Sequence, residues 1–231
     1  EAFLSRPRYV DLFPTIYWRV TEIDFQRLAA GDFAHPIETM DEVLAFYDAY
    51  RFNRRAWDTG GIPEPHWARA YALAAEADED FGAIGQGSVS DTPDAVRTVL
   101  LAAMSAHIDD DLPRVIRGTF APRPGRVSDP DRLWPDYLAT DATINAAMAG
   151  AAEIYQAIQA TSTWRKSLLG DENLVLMRDA LADTNRQVLA MRHRAWTVAV
   201  GGGPLPTGDA PQPPGDLEAL ALKGRQACQP N

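Results

Sequence analysis

Between its prolines and glycines this chain repeats apolar residues at helical spacing, and almost nowhere shows the strict alternation of a half-buried strand. A period near 3.6 with few β-branched runs commits the backbone to helices, which must then bury their apolar faces on one another. The spacing predicts a first helix from about Asp11, with Pro14 in its first turn, to just before Gly31. Thr39-x-x-Glu42 reads as a capping box opening a second helix that ends near Trp57, since the hydroxyl and carboxylate can each satisfy an orphan amide. A third helix runs from Trp67 to about Ala77, and the Gly/Ser-rich stretch from Gly82 to Asp91 reads as a loop. Thr92-Pro93 opens a fourth, carrying Val96, Val99, Leu100, Ala103, Met104 and His107. Pro113 should kink or end it, because proline removes an i→i−4 bond and crowds the preceding turn. Arg114 to Gly118 adds at most a further turn, and Ala121 to Pro135 reads as an irregular crossing. Two long helices follow, from about Asp136 to Thr161 and from about Asn173 to Val200. The expectation is an all-α, single-domain bundle of about six main helices over residues 1–203. Residues 204–231 form a Pro/Gly-rich tail whose composition cannot bury enough apolar surface to order itself.

A length of 231 residues can bury a substantial core without disulfide or metal staples. A formal net charge of −10 argues against nucleic acid and against a polybasic membrane surface as partners. No apolar run reaches the length of a membrane span. The single cysteine, Cys228, has no intrachain partner. The expectation is a cytoplasmic protein acting on a small molecule. No Gly-rich phosphate loop, GxSxG elbow, CxxC pair or HExxH is present, so no nucleotide cofactor is expected.

The least ordinary segment is Ser105-Ala-His107-Ile-Asp109-Asp110-Asp111-Leu-Pro113. Negative charge at a helix C-terminus opposes the macrodipole, so three aspartates there call for compensation. His107 and Asp111 are four residues apart and share a helical face, a spacing that can present two metal ligands. Asp141 and Asn145 repeat that spacing on the long helix. Were that helix antiparallel to the one bearing His107, the two pairs would face each other. His107, Asp111, Asp141 and Asn145 then become a candidate set for one divalent ion, Zn, Mn or Fe, or for a metal-free hydrogen-bonded network. His107, Asp110, Asp111 and Asp141 are the candidate catalytic groups. The blander alternative has Asp109 and Asp110 solvated and His107 as a hydrogen-bonded core residue. Arg114 and Arg117 can neutralise the aspartates, His193 sits between two arginines, and His35 and His66 read as loop residues beside prolines.

Ala106-His107-Ile108-Asp109-Asp110-Asp111-Leu112-Pro113 resembles the AHINHDLP-type signature of the bacterial family named domain of unknown function 5995. Val20-Thr21-Glu22, Phe33-Ala34-His35-Pro36 and the segment from Tyr47 to Asn53 are similar to that family's N-terminal pattern. Asp141-x-x-x-Asn145 resembles its DFxxVN-type stretch, so that the likeness covers roughly residues 10–160. Asp110 stands where the family has its second histidine and Asp109 where it has asparagine. The resemblance implies a fold and a site, not a reaction. His107-x-x-x-Asp111-Leu-Pro113 is also remotely similar to the zinc-dependent phospholipase C and P1 nuclease group, but four histidines are too few for that group's three-zinc cluster.

Three functions compete. One is a secondary-metabolite hydrolase, lyase or cyclase using the His/Asp/Asn site between two core helices, with or without a metal. Another is a Mg-dependent prenyl-diphosphate enzyme holding the ion on Asp109-Asp110-Asp111, although Pro113 stands where a DDxxD motif would need its last aspartate. The third is a non-catalytic helical binding domain.

Overall fold

The computed structural model describes residues 8–81, 92–160 and 171–201. Every regular element among them is helical, and the all-α bundle is the observed fold. A 3₁₀ turn at Tyr9–Asp11 leads into α1 (Leu12–Ala30), followed by α2 (Pro36–Asp58) and α3 (Pro65–Phe81). Next comes one long helical run: α4 (Thr92–Ser105), a π-helical turn (Ala106–Asp111) and α5 (Leu112–Thr119). The bundle is completed by α6 (Pro130–Ala160) and α7 (Asp171–Ala199). Counting α4 to α5 as one rod gives six rods. None of these helices is long and apolar enough to cross a membrane. The Gly82–Asp91 loop, Cys228 and the tail 204–231 lie outside the described residues.

The chain ends its helices near its glycine punctuation, but starts α3 and α7 two residues earlier than expected and α2 and α6 earlier still. Gly31 adopts φ 79°, and its amide and that of Asp32 return to Leu28 and Arg27, the left-handed exit that glycine makes cheap. Helix α2 begins at Pro36, not Thr39, so the capping box does not form: Thr39 Oγ1 donates back to the His35 carbonyl at 3.1 Å, inside the helix. The cap comes from α6. Asp136 accepts the amides of Ala34 at 2.8 Å and His35 at 2.7 Å, and pairs with His35 Nδ1 at 3.0 Å. Helix α6 starts at Pro130, six residues before the expected Asp136, because the Asp129 side chain takes the Asp131 amide; Pro135 is carried inside the helix. Pro113 does not end the fourth helix. It sits in the first turn of α5, and the wider π turn ahead of it takes up the break in the i→i−4 ladder that the proline imposes.

The core is continuous from Tyr9 and Phe13 through Trp67, Leu100 and Ile116 to Val188 and Trp196. Helix α6 packs chiefly on α7 and α1, and α4 on α3 and α7. Helix α2 is different: of its 23 residues only Glu38, Tyr50 and Asn53 are buried. Its ends are held by polar clasps. Glu38 accepts the Val127 amide at 2.8 Å, Asp41 pairs with Arg123 and Arg126, Arg54 reaches the Val10 carbonyl and Asp11, and Asn53 bonds Glu64.

Replacing Asp136 by Ala removes three acceptor contacts at one clasp. It should lower unfolding stability by about 2–3 kcal/mol, read as a lower urea midpoint at unchanged slope.

Candidate functional site

Along α1 the inward stripe is Phe13, Tyr17, Val20, Asp24, Arg27, so an acid and a base interrupt an otherwise apolar face. Along α2 the inward stripe is Glu38, Glu42, Phe46. These stripes, with His107 from the π turn, Asp136 and Tyr137 from α6 and Arg192 from α7, line a narrow cavity of about 70 Å³. Most of its wall is apolar or aromatic. Thr21 and Val43 line both this cavity and a shallower outer groove bordered by the exposed Trp18, Phe25, Leu44 and Tyr47.

The polar groups of the cavity are poorly satisfied from within the protein. Arg27 donates to the Ala139 carbonyl and to Thr143 Oγ1 at 2.9 Å, and Thr143 in turn bonds the Asp24 carboxyl. The other oxygen of Asp24, Oδ1, has no hydrogen-bond partner among the described residues, although Asp24 is only 2% exposed. The same is true of the Tyr17 hydroxyl and of His107 Nε2. Burial pushes the Asp24 carboxyl up to about 6, against the pull of Thr143, Arg192 and Arg27. Burial also pushes Glu42 up to about 7, with Asp24 and Asp136 adding to the rise and Arg192 opposing it. His107, wholly buried, is driven down to about 4 by desolvation, and the Asp111 charge only partly offsets this. At neutral pH the cavity therefore holds a neutral imidazole, a mostly ionised Asp24 and a Glu42 close to half-protonation.

His107 is gripped by rings. Phe46 stacks on it face to face, while Phe13 and Tyr17 meet it edge-on at 5.0 and 4.6 Å. Asp111 Oδ2 stands 3.5 Å from its Nδ1. Asp111 itself is fully buried and heavily used: it accepts the Trp67 indole N–H at 2.8 Å, contacts His66 Nε2 at 3.2 Å and is bonded by Arg114. Burial would raise its pKa, but the contacts to His107, Trp67 and Arg114 outweigh that and hold it below the usual carboxylate value.

The expected four-residue cluster is thus brought together only in part. His107 and Asp111 meet, as their spacing requires. Asp141 instead pairs with Arg192 at 2.9 Å and His193 at 2.8 Å on α7, and Asn145 is exposed and bonded to Asn185. The reason is packing: α6 lies against α7 and α1, not against the run bearing His107. Asp110 is exposed, and Asp109 bonds Ser105 and Arg194 at the surface. The three aspartates therefore diverge and do not form one ion site. Glu64, His66 and Asp111 are the group that could offer a metal three ligand atoms, all within 4.8 Å of one another. Two carboxylates and an imidazole suit a divalent ion chemically, but Arg114 already donates to both Glu64 oxygens and to Asp111. That guanidinium holds Glu64 down to about 2 and supplies the positive charge an ion would bring. The sequence reading missed Asp24, Glu42 and Tyr17. The available signal was Asp24 seven residues after Tyr17, a lone acid on the core stripe of α1.

His107 is depressed from about 6.5 to about 4, so the unfolded chain binds its proton more readily. Its contribution to stability is complete above pH 6.5 and fades as pH falls toward 4. His107→Phe should flatten the wild-type loss of stability over that window, measured by urea unfolding at a series of pH values. No family model, curated protein or solved structure matches the chain.

Proposed function

We propose that this chain is a cytoplasmic small-molecule enzyme of the hydrolase, lyase or cyclase kind, working by acid–base chemistry on a largely apolar substrate beneath α2. The observation that carries this reading is the gathering of Tyr17 Oη, Asp24 Oδ1 and His107 Nε2, each without a hydrogen-bond partner among the described residues, around one largely apolar cavity. Buried polar atoms are almost always hydrogen-bonded, so a cluster of exceptions facing a cavity fits a substrate whose polar atoms complete the set.

Glu42 is the proton carrier. A carboxyl near 7 can both give and take a proton at neutral pH, the condition for efficient general acid–base catalysis. The neutral His107 offers Nε2 to the same space, and Asp111 positions its ring. Asp24 and Tyr17 hold the polar end of the substrate. The apolar walls keep bulk water from competing for the proton, and the groove of Trp18, Phe25, Leu44 and Tyr47 offers a greasy path to the mouth.

The test is turnover of a panel of lipophilic esters, epoxides and unsaturated carbonyl compounds, each with and without an amino group, followed by mass spectrometry. Glu42→Gln should cut any turnover found by about 10²-fold or more. The same variant and Asp24→Asn should be more stable than wild type at pH 8 by about 1–2 kcal/mol each. Carboxyls raised on folding cost stability once ionised, and the cost disappears as pH falls toward 4. Unchanged turnover in Glu42→Gln, or destabilisation of both variants at pH 8, would reject the assignment.

A second reading keeps a Zn, Mn or Fe ion at Glu64, His66 and Asp111, favoured by the closeness of their ligand atoms. It requires Arg114, which is half exposed, to swing out. Added Zn²⁺ should then raise the melting temperature, more so in Arg114→Ala and not at all in His66→Ala. No rise in any of the three proteins would dismiss the ion.

A further inference from the structure

We infer that the ligand of the α2 cavity is a lipophilic amine, its ammonium group seated between the carboxyls of Asp24 and Glu42 and its hydrocarbon body against Tyr17, Phe46 and Tyr137. This rests on the cavity being the substrate site. It adds the charge of the occupant.

The charges around the cavity are uneven. Its wall carries four carboxyls, Asp24 from α1, Glu38 and Glu42 from α2 and Asp136 from α6, against one guanidinium, Arg192 from α7. Two of the four are already answered: Glu38 by the Val127 amide and Asp136 by His35. Arg192 is answered too. It donates to Asp141 outside the cavity and to the Tyr137 carbonyl, and its guanidinium lies 4.1 Å over the Tyr137 ring. On α1, Arg27 is engaged by Asp32, Ala139 and Thr143. His107 is neutral and Tyr17 is un-ionised. What is left unbalanced is Asp24, 2% exposed with Oδ1 unpartnered, and the half-buried Glu42, which makes no hydrogen bond to the described residues.

An anionic ligand would meet two carboxyls that outnumber the one guanidinium of the wall, and a neutral one would leave that imbalance in place. A cation alone offsets it. The aromatic walls add to the preference, because ring faces attract ammonium groups that have been stripped of water. In the empty cavity, by contrast, burial holds protons on these carboxyls up to about 6 and 7. An amine entering already protonated must expel one of them, so binding and proton release are coupled.

Three probes of one shape separate the cases: phenylethylamine, phenylethanol and phenylacetate, titrated calorimetrically at pH 6.5 in buffers of different ionisation enthalpy. Phenylethylamine should bind at least tenfold more tightly than phenylethanol and release close to one proton per molecule. Phenylacetate should not bind. Asp24→Asn and Glu42→Gln should each weaken the amine tenfold or more, and by more than either weakens phenylethanol. Equal binding of amine and alcohol, or amine binding untouched by both substitutions, would overturn the cation and leave the cavity a ligand site. If none of the three probes binds, the substrate cavity itself is wrong and both readings fall together.

Discussion

Helix α2 meets the core only through Phe46, Tyr50 and Trp57 and is otherwise held at its ends, and the rest of the site follows from that. A 23-residue amphipathic helix that laid its apolar side flat on the bundle would fill the space now open to Glu42 and Phe46. Instead the carboxylates of Asp136, Asp41, Asp11 and Glu64 hold it at its two ends. Each clasp is a geometric constraint more than a source of large net free energy, since exposed or half-exposed ion pairs contribute little individually. Together they fix the height of a roof. Dispersion and burial, which would otherwise draw the roof down, are satisfied below it by the ring cluster around His107.

The ring cluster and the acidic network on its far side form a second dependency. Asp111 is in contact at once with an indole, two imidazoles and a guanidinium. It orients His107 toward the cavity while belonging to the structural frame. The π turn makes this possible: it turns His107, Asp111 and Leu112 inward while Asp109 and Asp110 stay at the surface. Such turns are rare within helical runs and recur where a side chain must be aimed.

The fold was legible because a 3.6 period needs no tertiary information, and Gly31, Gly60-Gly61 and Gly201 end helices by their own backbone preference. The starts of α2 and α6 were less so. The Asp136 cap on α2 comes from a hundred residues away, and the true cap of α6 lay inside what read as a proline-rich crossing. In the site, His107–Asp111 could be read because the pair lies within one turn. Asp141 and Asn145 could not be placed, because their direction depends on which helix α6 meets. Glu42 was hidden by a local motif: Thr39-x-x-Glu42 has capping-box chemistry, and only the trans cap by Asp136 frees Glu42 to face inward.

The polar clasps of α2 also split the solvent response of the molecule. Salt screens ion pairs such as Asp41 with Arg123 and Arg126, while excluded salts such as sulfate strengthen apolar burial. One change of medium therefore loosens the roof and tightens the floor. Concentrated sulfate would leave the α1–α4–α6–α7 core firmer than before and α2 freer above it. The cavity then breathes with ionic strength while the bundle around it does not.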